Sequence, residues 1–234
     1  MRAHSKRFEA VATKVEASRR YAIEEAAQVV KDAATAKFDE SIEITLQLGI
    51  DGKRTDHMVR GSVSLPKGTG KKVRVIAFAQ GEMAEKARAA GAIEAGADDL
   101  IAKITGGWTD FDVAVAHPEL MPKVGRLGRV LGPKGLMPSP KAGTVTDNVE
   151  RAVREYMGGR VEYRSDATGC VHALVGKASF APQDIAENIN SFIDHIQAAR
   201  PAGVKGVFVR RGFVSSTMGP GVEINVSRAS QERG

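Results

Sequence analysis

From Ser41 to Gly49 apolar and polar residues alternate without a break: Ile42, Ile44, Leu46 and Leu48 fall on one side, Ser41, Glu43, Thr45 and Gln47 on the other. A period of two predicts a strand with one buried face and one face in water. After the turn residues Asp51-Gly52, Val59, Gly61, Val63 and Leu65 alternate with Arg60, Ser62 and Ser64, which predicts a second strand ending at Pro66. Ahead of these strands the period is helical. Ser5 can cap a helix through Lys14, and Ile23, Ala26, Ala27 and Val30 repeat beneath the polar face of a second helix from Ile23 to Ala34.

The pattern then changes. Lys72 to Ala79 and Phe111 to Ala116 are nearly continuous apolar runs, as strands buried on both faces require. Between and after them Glu82 to Ala90, Asp98 to Ile104 and Asp147 to Met157 read as helices, the last with Asp147 and Glu150 in capping-box register. Buried strands alternating with helices predict a parallel, doubly wound unit. Past Gly158-Gly159 strand patterns return at Val161 to Arg164, Cys170 to Val175, Val207 to Val214 and Val222 to Val226. A helix from Pro182 to Ala199 interrupts them, with Pro182 suited to its first turn.

Neither end of the chain has enough elements to cover its own apolar faces, so the two ends are expected to complete each other. The fold class that follows is two-domain, α/β and α+β. Residues 1–67 and 159–234 form a discontinuous α+β domain with an antiparallel sheet, and residues 68–158 an inserted, Rossmann-like α/β domain. Both crossings are glycine-rich, so Gly68 and Gly70 with Gly158 and Gly159 are the expected hinge.

Composition narrows the function classes. The 234 residues carry a formal charge of +6, with 34 bases, 28 acids and only 5% aromatics, a mixed surface that leans toward nucleic acid. The insertion holds 13 bases and 11 acids, leaving 21 and 17 outside it, so neither domain is a purely electrostatic binder. A single cysteine, Cys170, allows no intrachain disulfide and suits a reducing, cytoplasmic setting. The first residues lack the apolar stretch of a signal peptide, and no run of roughly 18 apolar residues is present to span a bilayer. The Asn225-Val226-Ser227 sequon is therefore expected to meet no glycosylation machinery.

Catalysis finds little support. His4, His57, His117, His172 and His195 are scattered without metal-ligand spacing, and no Gly-x-Ser-x-Gly occurs. Gly68 to Lys72 lacks both the first glycine and the Ser/Thr of a phosphate-binding loop. Cys170 reads as a small core residue in a strand. No catalytic residue, metal or cofactor is expected.

Binding finds more. Pro122 to Thr146 packs five glycines, four prolines and five Lys or Arg into 25 positions with no carboxylate. It is expected to stay outside the core with its cations reachable, either by a polyanion or only by solvent. Ser215, Ser216 and Thr217, followed by Met218, Gly219 and Pro220, suit close contact with RNA hydroxyls and phosphates, or simply a polar turn. Lys37 and Phe38 pair a cation with a ring that either stacks or fills core. Tyr163 to Gly169 is a hairpin turn by composition.

Taken in order, LPKGTGKKVRV, GGWTDFDVAVAHPELMPKVGRLGRVLGPKGLMPSPKAGTV, YRSDATGCVHALVGKASF and SSTMGPGVEINV resemble the bacterial ribosomal protein L-one family over nearly the whole chain. Ser139 stands where that family often has Asn, and the tail runs on past Asn225 through Glu232-Arg233. The resemblance implies a discontinuous first domain that holds the mobile-stalk 23S rRNA of the 50S subunit. It further implies contact with departing exit-site tRNA, repression of translation through the protein's own operon mRNA, and no membrane partner. It assigns RNA contact to Lys37, Phe38 and Ser41, to Asp166, Thr168 and His172, and to Ser216, Thr217, Met218 and Gly219, expected together on one compact, mostly neutral platform. The alternatives are a free-standing RNA-binding translational regulator and a nucleotide-dependent enzyme built on the insertion.

Overall fold

A computed structural model describes residues 5–16, 18–52 and 54–226; His4, Ser227 and the tail through Glu232-Arg233 lie outside them. The chain divides into two compact units, Met1–Gly70 with Val161–Gly234, and Lys71–Arg160. Along the chain α1 (Lys6–Ala12) and α2 (Ile23–Ala33) precede β1 (Ser41–Leu48) and β2 (Arg60–Ser64). Then come β3 (Val75–Phe78), α3 (Glu82–Ala89), β4 (Glu94–Gly96), α4 (Asp98–Thr105), β5 (Val113–Ala116), α5 (Met121–Val124), α6 (Gly128–Leu131) and α7 (Val149–Met157). The chain returns through β6 (Arg160–Arg164) to β7 (Cys170–Lys177), α8 (Pro182–Ala198), β8 (Val209–Ser216) and β9 (Val222–Ile224).

In the first unit β1 is interior to an antiparallel sheet ordered β7-β1-β8-β9. Its alternation fixes the register: Ile44 stands opposite Ala173 of β7 and Val214 of β8. Ile42, Ile44, Leu46 and Leu48 all point into one core with Ala26, Ala27 and Val30 of α2 and Ile185, Ile189, Phe192 and Ile196 of α8. Each fully buried Ile, Leu, Val or Phe side chain here contributes roughly 1.5–3 kcal/mol, so the two ends of the chain are bound together by the core they share. β2 does not join β1 but pairs with β6 in a separate two-stranded ribbon. Ser5 caps α1 by accepting the N–H of Phe8 at 3.3 Å.

The second unit is built on a parallel sheet ordered β4-β3-β5. Val75, Ala77 and Ala79 face a core with α3 and α7, while Ile76 and Phe78 face a second core with α4, α5 and α6. Helices on both faces explain why β3 carries no polar alternation. Two expectations are corrected here. The Gly/Pro-rich segment does enter the core: Val124, Leu127 and Leu131 are buried, because short helical turns place this three-then-four spacing on one face. The cap of α7 is Asn148, whose side chain accepts the N–H of Arg151 at 3.0 Å, and not Asp147, one residue outside the helical turn.

Candidate nucleic-acid interface

The helices α2 and α8 cover one side of the four-stranded sheet. On its other side Glu43, Thr45, His172, Phe213 and Ser215 remain partly or fully exposed. At the end of the sheet where β1 starts and β8 stops, two loops meet. Thr217 donates its N–H to Ser41 O at 3.0 Å, and its hydroxyl accepts the Ser41 N–H at 2.9 Å. One carboxylate closes the junction. Glu40, 1% exposed, accepts the N–H of Ala36 at 2.8 Å with one oxygen and the N–H of Met218 at 2.9 Å with the other. Burial alone would push this carboxyl up. The N–H groups of Ala36 and Met218, the adjacent Ser216 hydroxyl and the charge of Arg7 outweigh burial and hold it below its ordinary value of 4.5. It is therefore an ion at neutral pH and keeps both acceptors.

What the staple leaves outside suits a ligand. Phe38 is 55% exposed and Met218 48%, so Phe38 is not core, and two large apolar side chains stand in water on loops joined to the same carboxylate. Lys37 is exposed and makes no ion pair among the described residues. Arg7 of α1 donates to Met218 O and to Thr35 Oγ1, both at 3.3 Å. Lys177 donates to Ser41 Oγ at 2.8 Å, and Asp39 accepts both the N–H and the hydroxyl of Ser179 at 3.0 Å. Gly219 leaves room for Ser216: a Cβ there would come within 2.5 Å of the buried Ser216 Oγ and force that hydroxyl to turn.

The remaining expected residues lie elsewhere on the same sheet. The hairpin holding Asp166 and Thr168 leads into Cys170, opposite Gln47, six residues along β1 from Ser41 and so about 20 Å away. The compact platform is thus corrected to a stripe along the open face, and Ser216 drops out of it: in phase with inward Val214 and opposite Ile42, it is buried on the core side, 4% exposed. His172 lies midway, its Nδ1 3.1 Å from Thr45 Oγ1 and its Nε2 3.6 Å from Asp166 Oδ2. Asp166 is largely engaged in closing its own turn. The N–H of Cys170 and the hydroxyl and N–H of Thr168 all bond its Oδ1 at 2.7–2.9 Å and hold its carboxyl below the ordinary range. Cys170, expected as core, is only half-buried, in step with His172 on the open side.

Glu40 and Arg7 escaped the sequence reading, although a signal for Glu40 was present. Position 40 continues the inward series of Ile42 and Ile44 by one step, and a carboxylate on a buried stripe requires partners. Among the expected hinge glycines, Gly68, Gly70 and Gly159 take φ of 66°, 70° and 101°, whereas Gly158 is helical and ends α7. Gly68 is held: Asn188, fully buried, donates to Gly68 O at 2.9 Å and Val175 O at 2.8 Å while accepting the Lys67 N–H at 3.0 Å. Among the described residues no three His, Cys, Asp or Glu side chains are grouped to hold a metal ion, and no helix is long and apolar enough to cross a membrane.

The sequence is similar to those of known proteins. Residues 30–220 match the family model described as "Ribosomal protein L1p/L10e family". Curated relatives named "Large ribosomal subunit protein uL1" are similar over almost their whole length. That of Thermus thermophilus is 52% identical, covering 95% of this chain and 97% of its own. That of Azoarcus is 53% identical over 97% and 98%, and that of Corynebacterium glutamicum 50% over 96% and 95%.

Proposed function

The chain belongs to the ribosomal protein L1p/L10e family, and from that premise we propose that it is a non-catalytic, structural constituent of the large ribosomal subunit in the cytoplasm, bound to the 23S rRNA of the mobile stalk through the open side of its discontinuous unit. The observation that carries this reading is the Glu40 staple, which ties the Lys37-Phe38 loop to the Thr217-Met218-Gly219 loop. Binding by this surface is selective more than electrostatic. Phe38 and Met218 cover base or sugar faces, the Lys37 ammonium meets a phosphate, and the hydroxyls along Ser41, Thr45 and Ser215 suit RNA 2′-OH groups. Held on the stalk, the protein moves with it as deacylated tRNA leaves the exit site, the two chain crossings serving as its hinge. Where the protein's own operon mRNA repeats the rRNA element, the same surface represses its translation.

The test is binding of the full chain to a 23S stalk fragment. Stacking of a base on an exposed aromatic ring is worth roughly 1–3 kcal/mol, and burying a Met side chain against the RNA is of the same order, roughly 1.5–3 kcal/mol. Phe38→Ala and Met218→Ala should therefore each weaken binding about 5- to 150-fold while leaving thermal unfolding unchanged. In cell fractions the protein should sediment with the large subunit through moderate salt. Binding that is indifferent to both substitutions and washes off steeply with salt would instead mark a loose electrostatic binder.

A further inference from the structure

At the far end of β8 from Ser216, about 20 Å along the strand, the first unit has a cavity of about 400 Å³ that the recognition loops do not use. Among the described residues four arginines line it, Arg20, Arg200, Arg210 and Arg211, with one carboxylate, Glu223. The ion pairs leave a clear excess of positive charge. Glu223 is shared by Arg211, at 2.7 and 3.1 Å, and Arg20, at 3.2 Å, so one negative charge faces two positive ones. Among the described residues Arg200 is held by neutral groups, donating to Val204 O at 2.6 and 3.1 Å and to Gly206 O at 3.0 Å, which fixes its position without cancelling its charge. Arg210 is exposed and has no ion pair among the described residues. Beside these cations stands Val207, 71% exposed, an apolar side chain with nothing of its own unit over it.

The donor set indicates the ligand class. Guanidinium groups present planar forks that match phosphate oxygens two at a time, and among the described residues no lysine lines the cavity. Charge with an adjoining apolar wall suits a phosphate carrying a ribose or base better than a bare inorganic anion. We propose that this cavity is a second RNA site, clamping one backbone phosphodiester between the arginines with its nucleotide against Val207. The inference rests on the RNA-binding reading above and extends it. The recognition loops select the element, and the arginine cavity holds the backbone of a neighbouring segment about 20 Å away, adding affinity and salt dependence but little sequence preference.

The experiment compares the full chain, Arg20→Ala/Arg210→Ala and Arg210→Glu on two 23S stalk fragments, one minimal and one extended. Circular dichroism verifies folding, and Arg210→Glu leaves the Glu223 pairs intact. On the extended fragment the double variant should lose about tenfold in affinity at low salt. Its plot of log K against log salt concentration should be shallower by about one to two. Arg210→Glu should lose at least as much, and all three proteins should bind the minimal fragment alike. Titration with inorganic pyrophosphate separates the sources of phosphate. If pyrophosphate binds the wild type and not the variants while the extended-fragment curves coincide, the occupant is a free polyphosphate and the RNA assignment is overturned. If neither probe distinguishes the proteins, the site itself is overturned. Phe38→Ala serves as the control: its failure to weaken either fragment would count against the recognition surface and leave this result readable.

Discussion

The Glu40 carboxylate accepts the Met218 N–H at 2.9 Å from inside the protein, while the Met218 side chain stands half in water. A buried ion thereby sets the position of an exposed residue 178 positions later in the chain. Glu40→Gln keeps the shape but turns an amide N–H₂ toward the N–H of either Ala36 or Met218. Leaving a buried donor without its acceptor costs roughly 1–3 kcal/mol. Urea unfolding at pH 7 should register that loss, and RNA affinity should fall at least tenfold because both recognition loops are released. Full affinity in a variant destabilised by this amount would show that the loops hold their form without the staple.

How far the sequence revealed this surface depends on which interactions are local. The alternation of Ile42, Ile44, Leu46 and Leu48 was enough to place β1, and Pro182 at the first turn placed α8. The three-residue β4, Glu94-Ala95-Gly96, gives no period to detect, and its place at the edge of the sheet is set by pairing with β3. In Pro122 to Thr146 the glycines and prolines obscured the helical spacing of Val124, Leu127 and Leu131. The separation of Phe38 from Thr168 is a consequence of antiparallel register: Ser41 pairs with Lys177 and Gln47 with Cys170, so a motif at the start of β7 falls at the far end of β1. No inspection of either motif alone contains that information.

Asn188 makes its bonds to Lys67 N, Gly68 O and Val175 O from full burial. Asn188→Ala leaves three backbone groups short of a partner; Lys67 N and Gly68 O lie where water can replace it, whereas Val175 O is buried and costs about 1–3 kcal/mol unsatisfied. The expected result is a loss of about 1–3 kcal/mol in stability, together with faster amide exchange at Lys67. If exchange there is unchanged while stability falls, the side chain fills space in the core and does not anchor the crossing.

The core of the first unit draws only on residues 15–65 and 161–226. A variant lacking residues 71–160, with Gly70 joined to Val161 by a short glycine linker, should therefore fold and unfold cooperatively. Its affinity for the minimal 23S stalk fragment should stay within about tenfold of the full chain, since the Glu40 staple and both loops remain. Cooperative unfolding combined with loss of specific binding would move the recognition surface to the inserted unit.

Asp112 gives the second unit a stability that depends on pH in a known direction. Partial burial would raise its pKa, but the ammonium of Lys71 at 2.9 Å and the Arg74 N–H and guanidinium at 3.0 and 3.2 Å overcome this, lowering it from 3.8 to about 2. These bonds tie the start of β5 to the residues leading into β3. A carboxyl whose folded pKa lies below its unfolded one stabilises the fold above the unfolded value, and that contribution is lost as pH falls through the folded value. With the side chain 24% exposed, a shift of this size is on the order of 2 kcal/mol at pH 7. Asp112→Asn should thus destabilise the second unit by about that amount at pH 7, by about half as much at pH 3, and by little near pH 2. Trp108, the only tryptophan of the chain, lies in this unit and reports its unfolding by fluorescence. A difference in urea midpoint between wild type and Asp112→Asn that is the same at pH 7 and pH 3 would mean that the carboxylate acts through its shape and not through its charge.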